Sequence, residues 1–242
     1  MMKPARLYAN ALRRYNRSHG FGIHSPFAYS FVRDTLGCRN QYYAYERIAW
    51  LRQVALAVAH HKSRHPRIMS LKNAKMLHRV AVRLGAEEYM QIGIHFGLST
   101  AALLLADSRS QLSLYNPANS HEDVYVEVTK DFRDRIHQLP SGDVGRQIRD
   151  YGSRVADGRA FVLVNDVEAA DVEAVQSGLS ALVSSADCVI VFRNLTRERS
   201  NTASLWRAVT QNLAYGMSFT NGNIGVITAL RHLPVQHFTL WF

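Results

Sequence analysis

The twelve residues from Tyr89 to Thr100, YMQIGIHFGLST, constrain the fold more than any other stretch of the chain. An apolar run leads into two glycines, Gly93 and Gly97, separated by three residues, and a helix-compatible segment follows at once. Glycine adopts left-handed backbone angles at little cost, so this spacing makes a tight strand-to-helix turn and lets the backbone approach a ligand closely. Such a pair also serves as plain punctuation between a strand and a helix, and the local residues leave both uses open.

Downstream of that turn, strand-like and helix-like segments alternate. Strands are expected at 89–94, 112–115, 147–151, 160–164 and 188–192, and helices at 99–106, 121–137, 169–183 and 199–212. The link 138–146 holds Pro140, Gly142 and Gly145 and reads as a loop. Alternation of this kind implies a mostly parallel sheet covered on both faces. The C-terminus changes character: 215–220 and 224–230 flank Asn221-Gly222-Asn223, a hairpin signal, with room for a further strand at 235–242. The expected architecture is α/β, a doubly wound and mostly parallel seven-stranded sheet ending in an antiparallel hairpin.

Upstream, the chain is helical in pattern. Leu7, Ala11 and Leu12 alternate with Arg6, Arg13, Arg14 and Arg17 over 5–17, an amphipathic helix with a basic face. Ser25 before Pro26 starts a helix expected to reach about Leu36. Further helices are expected at 42–60 and 70–84, joined by the polar segment HHKSRHPR. His60, His61 and His65 have no neighbouring thiol or acid in that segment, so it reads as a linker and not as a metal site. This places a basic helical extension at 1–84 before an α/β domain at 85–242.

Charge follows the same division. Residues 1–83 carry 16 Lys/Arg against 2 Asp/Glu, whereas the rest carries 13 against 17, within a net charge of +10. That asymmetry suits an anionic partner such as nucleic acid or a phosphorylated substrate, or equally a solvated helical surface. With 47% hydrophobic residues the chain is of ordinary globular composition. No stretch approaches the roughly 20 apolar residues of a membrane span, and the start lacks a signal-peptide apolar run, so a cytoplasmic location is expected. Cys38 and Cys188 are far apart and match neither a disulfide framework nor a zinc motif.

Two stretches carry a resemblance. HGFGIHSPF, residues 19–27, resembles the N-terminal signature of a methyltransferase-like group typical of Bacteroidetes, and QIGIHFGLST, residues 91–100, is similar to that group's glycine turn. The segment 191–209, VFRNLTRERSNTASLWRAV, is similar in order and spacing to its fifth strand end and following helix. The layout is that of the class I S-adenosylmethionine-dependent methyltransferases. The resemblance implies an S-adenosylmethionine site across the carboxyl ends of the strands, with Gly93 and Gly97 under the methionine portion and the second strand's end facing the ribose. By that likeness the binding residues are Gln91, Gly93, His95, Gly97, Ser99, Asn116 and Asn165.

Several of these depart from the group's pattern. Gln91, Asn116 and Asn165 stand where acids are usual, with Asp166 adjacent to the last, and Arg193-Asn194 replaces an acidic pair. A carboxylate accepts both ribose hydroxyls and balances a cationic donor; an amide brings no charge and adds a donor. His95 is a candidate general base or a packing residue, and His19 and His24 are candidates for the site's mouth or for a cap. Tyr8, Tyr15, Tyr42, Tyr43 and Tyr45 fit either base stacking or core packing. Two functions are carried forward. One is a methyltransferase with an unidentified, anionic acceptor; the other is an inactive methyltransferase-like fold that binds RNA or protein. HGFG as a hydrolase oxyanion segment lacks a GxSxG nucleophile elbow.

Overall fold

Three short runs, 160–164, 188–192 and 225–229, are buried along their whole length and pair side by side inside one sheet. The computed structural model describes residues 14–16, 18, 20, 22–61, 64–117, 122–155, 159–196 and 200–242. The strands are β1 (Glu88–Ile92), β2 (Gln111–Tyr115), β3 (Ile136–Gln138), β4 (Ala160–Val164), β5 (Cys188–Phe192), β6 (Met217–Thr220), β7 (Gly225–Ala229) and β8 (Gln236–Thr239). They lie in the order β3-β2-β1-β4-β5-β7-β6-β8. The first five are parallel, β7 is antiparallel to both β5 and β6, and β8 runs parallel to β6. The α/β class, the mostly parallel sheet and the C-terminal antiparallel hairpin are as expected; the eighth strand is the segment 235–242 added at the edge.

Side chains alternate between two apolar layers, as strand geometry requires. Tyr89, Phe161, Leu163, Val189, Val191 and Phe219 face one layer; Met90, Ile92, Val162, Val164, Ile190 and Phe192 face the other. The first layer is closed by α1 (Pro26–Ser30), α2 (Ala44–His60), α3 (Leu71–Leu84), α4 (Leu98–Leu104) and α5 (Glu122–Thr129). The second is closed by α6 (Val144–Arg154), α7 (Val172–Ser185) and α8 (Asn201–Gln211). Thus the N-terminal helices share one core with the sheet. Most of the expected helix at 5–17 lies outside the described residues.

Local rules explain most boundaries. Ser25 caps α1 by accepting from Ala28 N at 3.3 Å, with Pro26 in the first helical position. Ser70 caps α3 in the same way, and Gly85 ends it in a left-handed conformation. The helix after Pro26 does run to Leu36, but its second half, Phe31–Leu36, is π-helical.

Two expectations fail. Residues 147–151 are not a strand: they lie inside α6, which Asp143 caps by accepting from Arg146 N at 2.9 Å. Val144, Ile148 and Tyr151 recur at helical spacing on its buried side, and Gly145 sits within the helix because Ala174 O passes 2.5 Å from where its Cβ would stand. Nor does one helix fill 121–137. After α5 the chain tightens into a 3₁₀ segment, Lys130–Arg135, and Ile136–Gln138 then pairs with β2 as the sheet's edge. Among the described residues no helix is long and apolar enough to cross a membrane.

Candidate functional site

The order reverses at β1, which has β2 on one side and β4 on the other. Open α/β sheets bind ligands in the crevice outside such a switch point, at the carboxyl ends of the strands. Here β1 delivers the Gly93–Gly97 turn. Gly93 and Gly97 both have φ 80°, and His95 between them has φ 50°, unusual for a residue with a side chain. Packing adds to what the left-handed angles already demand at both glycines. A Cβ on Gly93 would stand 2.8 Å from Asp166 O, and one on Gly97 would press at 3.2–3.3 Å on Thr129, Val128 and Tyr125 of the α5 region. Left-handed backbone angles together with close packing explain both glycines.

Below the turn lies a buried polar network. Gln91 is fully buried; its Nε2 donates to Gly93 O at 2.8 Å and its Oε1 accepts from Thr100 Oγ1 at 2.9 Å. Asn165, also fully buried, donates from Nδ2 to Gly93 O at 2.9 Å and to Ser99 Oγ at 3.0 Å. Its Oδ1 accepts from Arg193 Nη1 at 2.8 Å, and its backbone O accepts from Asn194 Nδ2 at 3.0 Å. Arg193 is itself buried, and its carbonyl accepts from Thr202 Oγ1 at 2.7 Å. The amides therefore spend their polar atoms on the protein: an acid at 91 or 165 would set acceptor against Gly93 O, whereas the amide NH₂ donates to it.

The structure brings Gln91, Gly93, Ser99 and Asn165 together. His95 sits half-buried in the turn with its ring edge-on to Phe96 at 4.7 Å. Asn116, just past β2, is half-buried and makes no side-chain hydrogen bond among the described residues, so it stands outside the network. Asp166 is exposed, its Oδ1 accepting from Val167 N at 3.1 Å, and it puts a carboxylate at the rim. Neighbouring Tyr115 donates to Asp171 Oδ2 at 3.1 Å; burial first, and then that carboxylate, pushes its hydroxyl up to about 12.

Thr100 and Thr202, which complete the network, are absent from the set of residues singled out by sequence. Nothing in their local pattern marks them, because their partners lie nine residues away along the chain. Within 19–27, the described residues 20 and 22–25 form a turn before α1. Gly20 and Gly22 have φ 89° and 72°, Ile23 N donates to Gly20 O at 3.3 Å, and a Cβ on Gly20 would run into the Tyr29 ring. His24 is exposed there; His19 and Phe21 lie outside the described residues.

With strand order, switch point and turn in place, the chain has a class I methyltransferase-like fold. Among solved structures it is similar to a protein from Corynebacterium glutamicum at 16% identity and a TM-score of 0.53, covering 85% of this chain and 99% of that one. It is similar also to an O-methyltransferase from Bacillus cereus in complex with SAH, at 14% identity and a TM-score of 0.50, over 82% of this chain and 96% of that one. A third is the O-methyltransferase TomG from Streptomyces achromogenes in complex with SAM, at 14% identity and a TM-score of 0.50, over 78% and 90%. No family model matches the chain, and no curated protein sequence matches it.

Proposed function

We propose that this chain binds S-adenosylmethionine in the crevice outside β1, β2 and β4 and acts as a methyltransferase on an anionic acceptor. The observation that carries the reading is the left-handed Gly93–Gly97 turn at the switch point of a methyltransferase-like sheet. When bound, the donor supplies an electrophilic methyl group on a sulfonium. The residues present suit it in shape and not in charge. Gln91 and Asn165 are engaged with the protein, Asn116 is an amide where the ribose would lie, and Arg193 adds a buried cation nearby. Asp166 at the rim is the carboxylate placed to offset this, and Asn116 has its side chain available for the ribose. A set so short of carboxylates does not balance the donor's cationic groups. The 19–27 stretch is consistent with membership of a Bacteroidetes methyltransferase-like group, with 1–84 as its extension.

A second reading rests on Arg193. A buried guanidinium bonded to Asn165 is costly to remove and unfavourable to a cationic ligand, which suits a fold kept as a binding module for RNA or protein. Calorimetric titration with S-adenosylmethionine separates the two. Micromolar binding that weakens by about tenfold or more in Gly97→Trp supports the first reading. A folded protein that takes up no donor at about 1 mM supports the second.

A further inference from the structure

Away from the glycine turn, a cleft of about 1180 Å³ opens between the π-helical segment, the start of α3 and the residues after β8. Residues 91–100 and 165–166 do not line it. Because β8 runs parallel to β6, and β7 is antiparallel to both β6 and β5, Trp241 lies on the rim at which β1 and β4 also end. The cleft is basic. Arg33, Arg39, Lys72 and Lys75 line it, and Asp34 is the one acidic side chain among its described lining residues.

Its floor holds a further cation. Arg79 is 7% exposed, donating from Nε to Thr35 O at 2.5 Å, from Nη2 to Leu36 O at 2.8 Å and from Nη1 to Tyr45 Oη at 3.0 Å. No carboxylate among the described residues pairs with it, so only neutral dipoles offset a buried charge. Tyr45 is neutral as well, since burial holds its hydroxyl above the ordinary range. Lys75 Nζ lies 4.6 Å from the Tyr45 ring centroid, and Lys72 is exposed beside it in the first turn of α3, a 14-residue helix whose dipole adds positive potential there. The wall at 31–36 is π-helix, a geometry frequent at functional sites.

We propose that this cleft binds a phosphate-bearing small molecule of roughly nucleotide size. Its volume suits a small ligand held in a pocket and not a duplex laid across a surface. The four rim cations and the Arg79 floor supply charge for two phosphate groups, and half-exposed Trp241 offers an aromatic wall for an attached ring. The site does not depend on donor binding at the glycine turn. Only if that binding holds would its ligand be the acceptor.

The test uses the full chain, titrated calorimetrically at constant ionic strength with inorganic pyrophosphate and with AMP. Both are expected to bind, and Lys72→Glu and Arg39→Glu, each at an exposed position, are expected to weaken pyrophosphate by about tenfold or more with unchanged melting temperature. Arg207→Glu, exposed on α8 over the opposite layer, makes the same change in net charge and is expected to leave binding intact. Absence of pyrophosphate binding at about 1 mM would overturn the assignment, as would equal weakening by Arg207→Glu. Binding of single-stranded RNA far more tightly than AMP, lost with Lys72→Glu, would also overturn it by assigning the surface to a nucleic-acid backbone.

Discussion

The Asn165 side chain holds three partners, Gly93, Ser99 and Arg193, and this makes it the residue on which the strand ends depend. Asn165→Leu removes one of the two amide donors to Gly93 O together with the bonds to Ser99 and Arg193, with an expected loss of about 3 kcal/mol in unfolding free energy by urea titration. Asn165→Asp keeps an acceptor for Arg193, and the Ser99 hydroxyl can turn to donate to it, but the bond to Gly93 O becomes two facing acceptors. It should still cost about 1–2 kcal/mol, and a gain in stability would show that the amide's donors are idle. Gly93→Ala meets both a left-handed backbone and Asp166 O at 2.8 Å, so a loss of about 2 kcal/mol or more is expected. Gly22→Ala, with the same sign of φ and nothing within 4 Å, should lose about 1 kcal/mol. Equal losses in calorimetric melts would remove the packing role given to Gly93.

Between elements, His78 joins α3 to α4. Its Nδ1, protonated in the neutral ring, donates to Ala102 O at 3.1 Å, and the ring lies edge-on to Tyr42 and Tyr45. Burial lowers its pKa below the ordinary 6.5, the carbonyl opposes this, and the neighbouring Arg79 charge reinforces it. A base depressed in the folded state binds protons more readily when unfolded. Its stabilisation is therefore present above pH 6.5 and lost as pH falls below that value. Melting temperatures across this window should fall towards acid in the wild type and fall less in His78→Leu; parallel slopes would contradict the assignment. The sequence conveyed α3 readily, because Ser70, an apolar stripe and Gly85 all agree. It misread α6, where Ile148 and Tyr151 resemble a short strand and the helix start is hidden behind Pro140 and Gly142.

For the whole molecule, the alternating pattern made the layered sheet legible, since burial on both faces forces the central strands to be apolar throughout. The site was legible only in part. The glycine turn is local and announced itself, and Gln91 and Asn165 stood out as amides, but the network that uses them is completed by Thr100 at the far end of the turn and by Arg193 and Thr202 after another strand. Core titration offers a global check. Burial raises Cys188, Tyr89 and Tyr151 above their ordinary values of 9.0, 10.0 and 10.0. Raised acids favour the folded state while protonated, so their stabilisation is complete below about pH 9 and declines as pH climbs further. Stability measured from pH 8 to 11 should drop progressively, and a flat profile would contradict burial of these groups.

Hydrogen–deuterium exchange of the full chain with and without SAH tests donor binding at the switch point most directly. Slower exchange is expected at 92–100, 115–117 and 165–167, with 71–79 unchanged. Protection confined to 71–79, or none anywhere at saturating SAH, would contradict it.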